Sequence, residues 1–173
     1  MLGMYLLSVG CASAELKELS VDATNNTSYQ VLQLDVVLSD DSDSASLIKK
    51  LNKELGRYDL VVIKQPSDEI TAAYTNEPSA ILKIDEINRR LEPGTHRRTY
   101  GRTSLTQQQG RKQHVKPVIN MRVMLIDVES QQTLFRADYE TMGPWYADSS
   151  TVVASLAKSV CEQLADENLI VLQ

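Results

Sequence analysis

The 173-residue sequence predicts a single α/β domain of the α+β type, with a mainly antiparallel sheet and two amphipathic helices packed on one face. Segments with apolar residues at every second position alternate along the chain with segments that repeat at helical spacing. Hydrophobic residues make up 42% of the chain, which is enough for one core. We therefore expect one domain at residues 30–173, preceded by a signal-like start and tether at residues 1–29.

The first predicted unit is a strand, a helix and a second strand. Alternation over Val31–Leu38 predicts a strand with one buried face. The acidic and serine residues at 40–44 offer helix N-caps, and Gly56 is well placed to end the helix. Its apolar positions are Leu47, Ile48, Leu51 and Leu55. The continuous apolar run Tyr58–Ile63 predicts the second strand.

The segment Ser79–Leu91 has two interpretations. Ile81, Ile84, Ile87 and Leu91 recur at helical spacing, whereas Leu82 and Ile84 between polar residues favour a strand. In either case Pro93-Gly94 ends the element.

A long hairpin and a final helix complete the predicted domain. Ile119, Met121, Val123 and Leu125 line one face of a strand that runs to about Val128. The polar segment Glu129–Gln132 connects it to a return strand over Thr133–Glu140, which Gly143-Pro144 closes. Asp148–Ser150 then caps one amphipathic helix, and Leu169–Leu172 adds a short terminal strand. The apolar positions of that helix are Val153, Leu156, Ala157, Val160 and Leu164.

The start of the chain resembles the end of a bacterial lipoprotein signal. An apolar run over Met1–Gly10 stops at Cys11, and small residues precede the cysteine, although Ser8 stands where leucine is usual. The charged leader and full apolar stretch of an export signal are missing, so we expect that the start is truncated or mis-set. The alternative is a short apolar N-terminal strand or helix with a buried cysteine.

Acylation of Cys11 implies a lipid-anchored protein. Because Ala12 rather than aspartate follows the cysteine, the resemblance implies the outer membrane, with the domain facing the periplasm. Cys161 is then the only free thiol. It falls on the apolar face of the last helix, where a buried, unreactive cysteine is expected.

A basic segment at residues 89–116 predicts an interaction surface. It holds eight basic residues and one acid, Glu92, so its charge is +7 and the rest of the chain must carry −12 to reach the net −5. The basic residues are Arg89, Arg90, Arg97, Arg98, Arg102, Arg111, Lys112 and Lys116. The alternative is a solvated loop that balances the acidic body or contacts the acidic face of a neighbouring copy.

The sequence offers little for catalysis, so we expect no enzyme, cofactor or metal site. His96 and His114 lie within the basic segment, without a partner pattern for a metal. The acidic cluster at 40–44 lacks the glycine and acid spacing of a calcium loop, so helix capping explains it better. Trp145 and Tyr146 are either an aromatic contact for a partner or a closure of the core.

The element order, Cys11 and the hairpin V-I-N-M-R-V-M-L-I-D-V-E-S-Q-Q-T-L-F-R-A-D-Y resemble a loose group of small envelope lipoproteins. They are related to the periplasmic domain of the curli secretion protein CsgG. The group includes the exopolysaccharide export lipoprotein PelC and the penicillin-binding-protein activator LpoB. The resemblance covers most of residues 30–173 and implies a shared fold, with Cys11 as the one functional residue that carries over.

We therefore interpret the chain as a non-enzymatic outer-membrane lipoprotein that serves as a structural or accessory subunit of a secretion, export or surface assembly. Its expected partners are proteins of that envelope complex and copies of itself. Two alternatives remain open. One is a periplasmic protein that binds an anionic glycan or lipid, and the other is a cytosolic regulatory or nucleic-acid-binding module.

Overall fold

A computed structural model describes residues 12–22, 28–58, 60–64, 79–93, 115–144 and 147–170. These residues form six strands and three helices, in an order that brings every strand into one sheet. The elements are β1 (Ser13–Val21), β2 (Val31–Val37), α1 (Asp41–Leu55), β3 (Val61–Lys64), β4 (Ala80–Pro93), β5 (Val115–Asp127), β6 (Thr133–Met142), α2 (Ser149–Ala154) and α3 (Leu156–Asp166).

The sheet is mixed and mostly antiparallel, as the sequence predicts. Its strand order is β1-β6-β5-β4-β2-β3. The pairs β1–β6, β6–β5 and β5–β4 are antiparallel, whereas β2 is parallel to both β3 and β4. The parallel pair β2–β3 needs a crossover connection, which includes α1.

The helices cover one face of this sheet and bury its alternate side chains. On β5 the predicted face is confirmed, because Ile119, Met121, Val123 and Leu125 are all fully buried. They join the apolar faces of α1 and α3 in a single core cluster. The helical side chains buried in it include Leu47, Leu51, Leu55, Leu156, Val160 and Leu164.

Residues 80–93 form a strand, so the helical interpretation of Ser79–Leu91 is wrong. Ala80, Leu82 and Ile84 are buried at every second position, as a strand with one covered face requires. Ile87 and Leu91, which the helical interpretation places on an apolar face, are 46% and 65% exposed. Thirteen residues of this segment pair with residues of β5. This pairing with a distant strand determines the conformation, and the apolar spacing within the segment does not indicate it.

The C-terminal region departs from the sequence prediction in two places. The predicted single helix is divided at Ser155, whose hydroxyl donates to the carbonyl of Val152 at 2.7 Å and competes with the regular helical pattern. Leu169 and Ile170 are buried but lie outside any strand, contrary to the prediction for these two residues, and the rest of the predicted terminal strand, residues 171–172, lies outside the described residues. The carbonyl of Leu169 accepts a hydrogen bond from the Tyr29 amide instead, at 2.9 Å.

The sheet begins earlier than the sequence analysis predicts. Residues 13–21, which the prediction includes in the tether, form the edge strand β1 and pair with β6. Residues Glu15–Ser20 are all exposed, so the segment lacks the buried apolar side chains at every second position by which a half-buried strand is recognised in a sequence. Pairing with β6 therefore places this segment in the sheet.

A buried hydroxyl in the core generates a stability prediction. Tyr139 is 2% exposed, its hydroxyl has no hydrogen-bond partner among the described residues, and burial raises its pKa to about 12. Replacing Tyr139→Phe removes an unsatisfied polar group, so the free energy of unfolding in urea should stay within about 1 kcal/mol of wild type or rise. Tyr29→Phe is the matched control, because its hydroxyl donates to Asp127 at 2.9 Å and its loss should destabilise. Equal destabilisation by both variants would contradict the prediction.

Candidate functional site

The strands β4 and β5 extend beyond their neighbours at one end of the sheet. The pairing of β2 with β4 ends at Asp85, and the pairing of β6 with β5 ends at Val118. β4 and β5 remain paired farther along, and we call their segments Arg90–Pro93 and Val115–Val118 the β4–β5 arm. The arm holds two of the predicted basic site residues, and a third lies at its base.

An ion pair at the base of the arm joins the sheet to the helices. The Arg89 Nη1 atom lies 2.8 Å from Oδ2 of Asp43 in the first turn of α1, and the Asp43 side chain is fully buried. The Ser149 hydroxyl at the start of α2 donates to the other carboxylate oxygen at 2.9 Å. One buried carboxylate therefore connects β4, α1 and α2.

Glu86 completes this network from the sheet side. Arg89 donates to it twice, from Nε at 3.0 Å and from Nη2 at 2.8 Å. The backbone amide and hydroxyl of Ser39 also donate to Glu86. The Arg89 hydrogen bonds hold the pKa of Glu86 below its usual value, and Glu86, followed by Asp43, raises the pKa of Arg89. Both groups are charged at neutral pH.

A β-bulge explains how Arg89 reaches Asp43. Glu86 pairs with Met121 and Asn88 pairs with Asn120, so Ile87 is an extra residue on β4. Without it, strict alternation from the buried Ile84 would turn residue 88 toward the helices and residue 89 away from them. The bulge reverses this alternation and turns Arg89 toward the helical layer.

Arg90 and Lys116 have acidic partners within the arm and beside it. Arg90 donates to Glu92 at 3.1 Å and to Glu140 on β6 at 2.7 Å, and the Lys116 ammonium lies 3.5 Å from Glu92. Exposed pairs of this kind contribute about 0–1 kcal/mol and exchange partners readily. Both basic groups are therefore accessible at a surface, although the protein itself already balances them.

Most of the predicted site residues lie outside the described residues. They are Cys11, Arg97, Arg98, Arg102, Arg111, Lys112, Trp145 and Tyr146, together with His96 and His114. The structure brings Arg89 together with Asp43, Glu86 and Ser149, a network that the sequence analysis did not identify. One signal was available, because Asp43 stands four residues before the apolar Leu47 and so shares its helical face.

The face of the sheet opposite the helices is polar and contains an open groove of about 390 Å³. Asn120 donates to Asn88 across it at 2.7 Å. Lys17 lies 3.4 Å from Glu140 at one side. These side chains have partners within the sheet, and with Glu18 and Asp138 the lining of the groove holds three acids and one base.

Cys161 is the one cysteine among the described residues, and it is 1% exposed. Burial raises the pKa of its thiol to about 12, so it is a protonated and unreactive core residue at neutral pH. In the described part of the chain, no group of three or more histidine, cysteine or acidic side chains is arranged to hold a metal ion. No helix in those same ranges is long and apolar enough to span a membrane.

The fold is similar to that of known lipoproteins. A PelC subunit from the dodecamer of Paraburkholderia phytofirmans matches with a TM-score of 0.52 and 15% identity, over 94% of this chain and 99% of PelC. A minor lipoprotein from Acinetobacter baumannii matches with a TM-score of 0.47 and 11% identity, over 84% of this chain and 96% of that one. No protein-family model and no curated protein sequence matches the chain.

The PelC similarity establishes a shared fold and confirms the fold-level resemblance that the sequence analysis predicts. The PelC match covers almost all of both chains. At 15% identity it identifies no functional residue in this chain. Functional statements therefore follow as proposals.

The buried ion pair predicts unequal effects for its two partners. Arg89→Met leaves the fully buried Asp43 carboxylate without its counter-charge, and we expect a loss of roughly 3–5 kcal/mol in the free energy of unfolding. Asp43→Asn leaves Arg89 paired with Glu86 and should cost only about 1–2 kcal/mol. Urea denaturation measures both, and the double variant should lose less than the sum.

Lys158→Met is the control, because it removes an exposed pair with Glu162 and should cost under about 1 kcal/mol. A loss from Arg89→Met as small as that of the control would contradict the assigned role of the buried pair.

Glu86 generates a pH prediction. Its pKa in the folded protein lies below its ordinary value of 4.5, so the charged form stabilises the fold above that pH. This contribution is lost as the pH falls through the folded-state pKa. Glu86→Gln should therefore be less stable than wild type at pH 7, and the difference should shrink below about pH 4.5. Urea denaturation across this range, with Glu162→Gln as control, measures it, and a difference that is constant with pH would refute the prediction.

Proposed function

We propose that this chain is an outer-membrane lipoprotein, anchored through Cys11, that acts as a non-enzymatic structural or accessory subunit of an envelope assembly. In this proposal its action is recruitment and assembly rather than catalysis. The expected partners are other proteins of that assembly and further copies of this chain.

The observation that carries this proposal is the PelC match. The PelC chain it resembles is a subunit of a dodecamer, and the match covers 94% of this chain and 99% of that one. A fold shared over nearly the full length of both chains supports, by analogy, an association of copies of this chain. Self-association is therefore the first interaction to test.

The sequence around Cys11 supports the anchor. Small residues precede the cysteine, and Ala12 takes the place of the aspartate associated with retention at the inner membrane. A lipid anchor confines the domain to the membrane surface, where a modest interface gains from the high effective concentration of its partner. Weak polar contacts are then sufficient for assembly.

The basic segment 89–116 supplies such contacts in this proposal. Arg89, Arg90 and Lys116 have acidic partners within the chain, so we assign the contact with a partner in the assembly to Arg97, Arg98, Arg102, Arg111 and Lys112. In this proposal these residues bind the anionic surface of an envelope component or the acidic body of a neighbouring copy.

Expression of the natural open reading frame in its own host, beside a Cys11→Ala variant, tests the anchor. We expect intact mass to show a lipid-sized increment on a chain that begins at Cys11, and fractionation to place the protein in the outer membrane. The variant should lose both properties. A wild-type chain that stays unmodified and soluble would refute the proposal.

The same Cys11→Ala chain tests self-association without detergent. Light scattering should show a multimer whose mass falls as salt rises, because screening weakens contacts between charged surfaces. A monomer at every protein and salt concentration would remove the assembly role, even if the lipid anchor is present.

A further inference from the structure

The first residue of β1 and the β4–β5 arm lie at the same end of the sheet. Ser13 pairs with Met142, Met142 pairs with Val118, and Val118 pairs with Arg90, so these four residues form one row across the strands. The arm continues past that row as far as Pro93. Three residues of strand extend about 10 Å, so the tip of the arm lies about that far beyond Ser13.

The acylated residue of the proposed lipoprotein stays close to this row. One residue, Ala12, lies between Cys11 and Ser13, and the two residue steps of extended chain reach at most about 7 Å. The arm tip therefore extends at least as far along the strand direction as Cys11 does. A bilayer that holds the lipid of Cys11 meets the arm at the level of its headgroups.

The side chains of the arm suit a headgroup region. Leu91 is 65% exposed on the helix side of the sheet, beyond the last helical cover. Arg90 and Lys116 project from the opposite face of the same arm, because both alternate with Leu91 along the paired strands. Their present partners are Glu92 and Glu140, and phosphate oxygens would replace these carboxylates at the membrane. An arm with an exposed apolar side chain on one face and cations on the other combines the two kinds of contact that membrane-interface segments use.

The base of the arm is rigid. Arg89 immediately precedes it and holds Asp43 of α1 and Glu86 of β4 through contacts of 2.8–3.0 Å. These contacts fix the direction of the arm relative to the helical layer. The arm therefore cannot turn away from the bilayer without breaking a buried ion pair.

We propose that the β4–β5 arm is a second membrane contact, in which Leu91 enters the interface and Arg90 and Lys116 bind headgroup phosphates of an anionic bilayer. This inference rests on the proposed acylation of Cys11. It orients the domain with the arm end toward the membrane and with the hairpin turn between β5 and β6 at the opposite end. A basic surface is an established kind of second contact beside a lipid anchor.

An environment-sensitive fluorophore on the intact lipoprotein tests the contact. The acylated full chain with Leu91→Cys is labelled with the fluorophore NBD and reconstituted in vesicles that mix phosphatidylglycerol with phosphatidylcholine. Cys161 is buried and protonated, so it should not react. We expect the emission of the labelled, acylated chain in vesicles to be blue-shifted relative to that of the labelled Cys11→Ala chain in buffer without detergent. Lipids that carry a nitroxide on the headgroup should quench this emission.

Glu129→Cys is the matched control, because Glu129 is exposed in the turn at the opposite end of the sheet. Its label should keep the emission of an aqueous environment and should not be quenched. Equal, water-like emission from both labels on an anchored protein would overturn the inference and leave the proposed function standing. A blue shift at residue 91 in the Cys11→Ala chain without vesicles would also overturn it, because a neighbouring copy would then cover the arm.

A charge variant measures the phosphate contact. In the Cys11→Ala background, Lys116→Gln should lower the partition of the chain onto the same anionic vesicles by roughly fivefold, the loss typical of one basic residue at such a surface. Lys158→Gln on α3 also removes one positive charge from an exposed lysine, but far from the arm, and should have little effect. Equal losses from both variants would overturn the specific role of the arm. Absence of any acyl chain on wild-type Cys11 would instead refute the proposed function on which the inference rests.

Discussion

The burial of the Asp43 carboxylate against Arg89 is the constraint on which the rest of this structure depends. A carboxylate that is fully removed from water requires a counter-charge, and Arg89 is its only cation among the described contacts. Because Asp43 lies on α1 and Arg89 on β4, satisfying this charge fixes the helices against the sheet. Ser149 adds α2 to the same point. The pair contributes less to net stability than to the choice of one arrangement.

The bulge at Ile87 makes this contact compatible with the alternation of the strand. Before it, Leu82 and Ile84 face the core, and after it Arg89 faces the helices while Asn88 meets Asn120 on the opposite face. A single extra residue therefore separates a part of β4 that belongs to the core from a part that leaves it. The arm begins where the helical cover ends.

The placement of the chain start beside the arm connects the fold to the proposed function. β1 is an edge strand with little buried apolar surface of its own, and its pairing with β6 brings Ser13 level with Arg90. An anchor attached near Ser13 controls which end of the sheet meets the membrane. The polar outer face, with its bidentate Arg122–Asp138 pair at 2.8 Å, then remains free for protein contacts.

The sequence by itself determined the fold class, the α1 cap, the long hairpin and the buried Cys161, because these depend on local periodicity and turn residues. It also contains the lipoprotein-like pattern around Cys11 and the excess of basic residues at 89–116. It left Ser79–Leu91 open between helix and strand, and it missed β1. Only the tertiary structure decided these two strands and the Asp43–Arg89 network, because their partners lie far away in sequence. Pairing between distant strands determined where those residues lie, and the local pattern indicated only that Asp43 shares the helical face of Leu47.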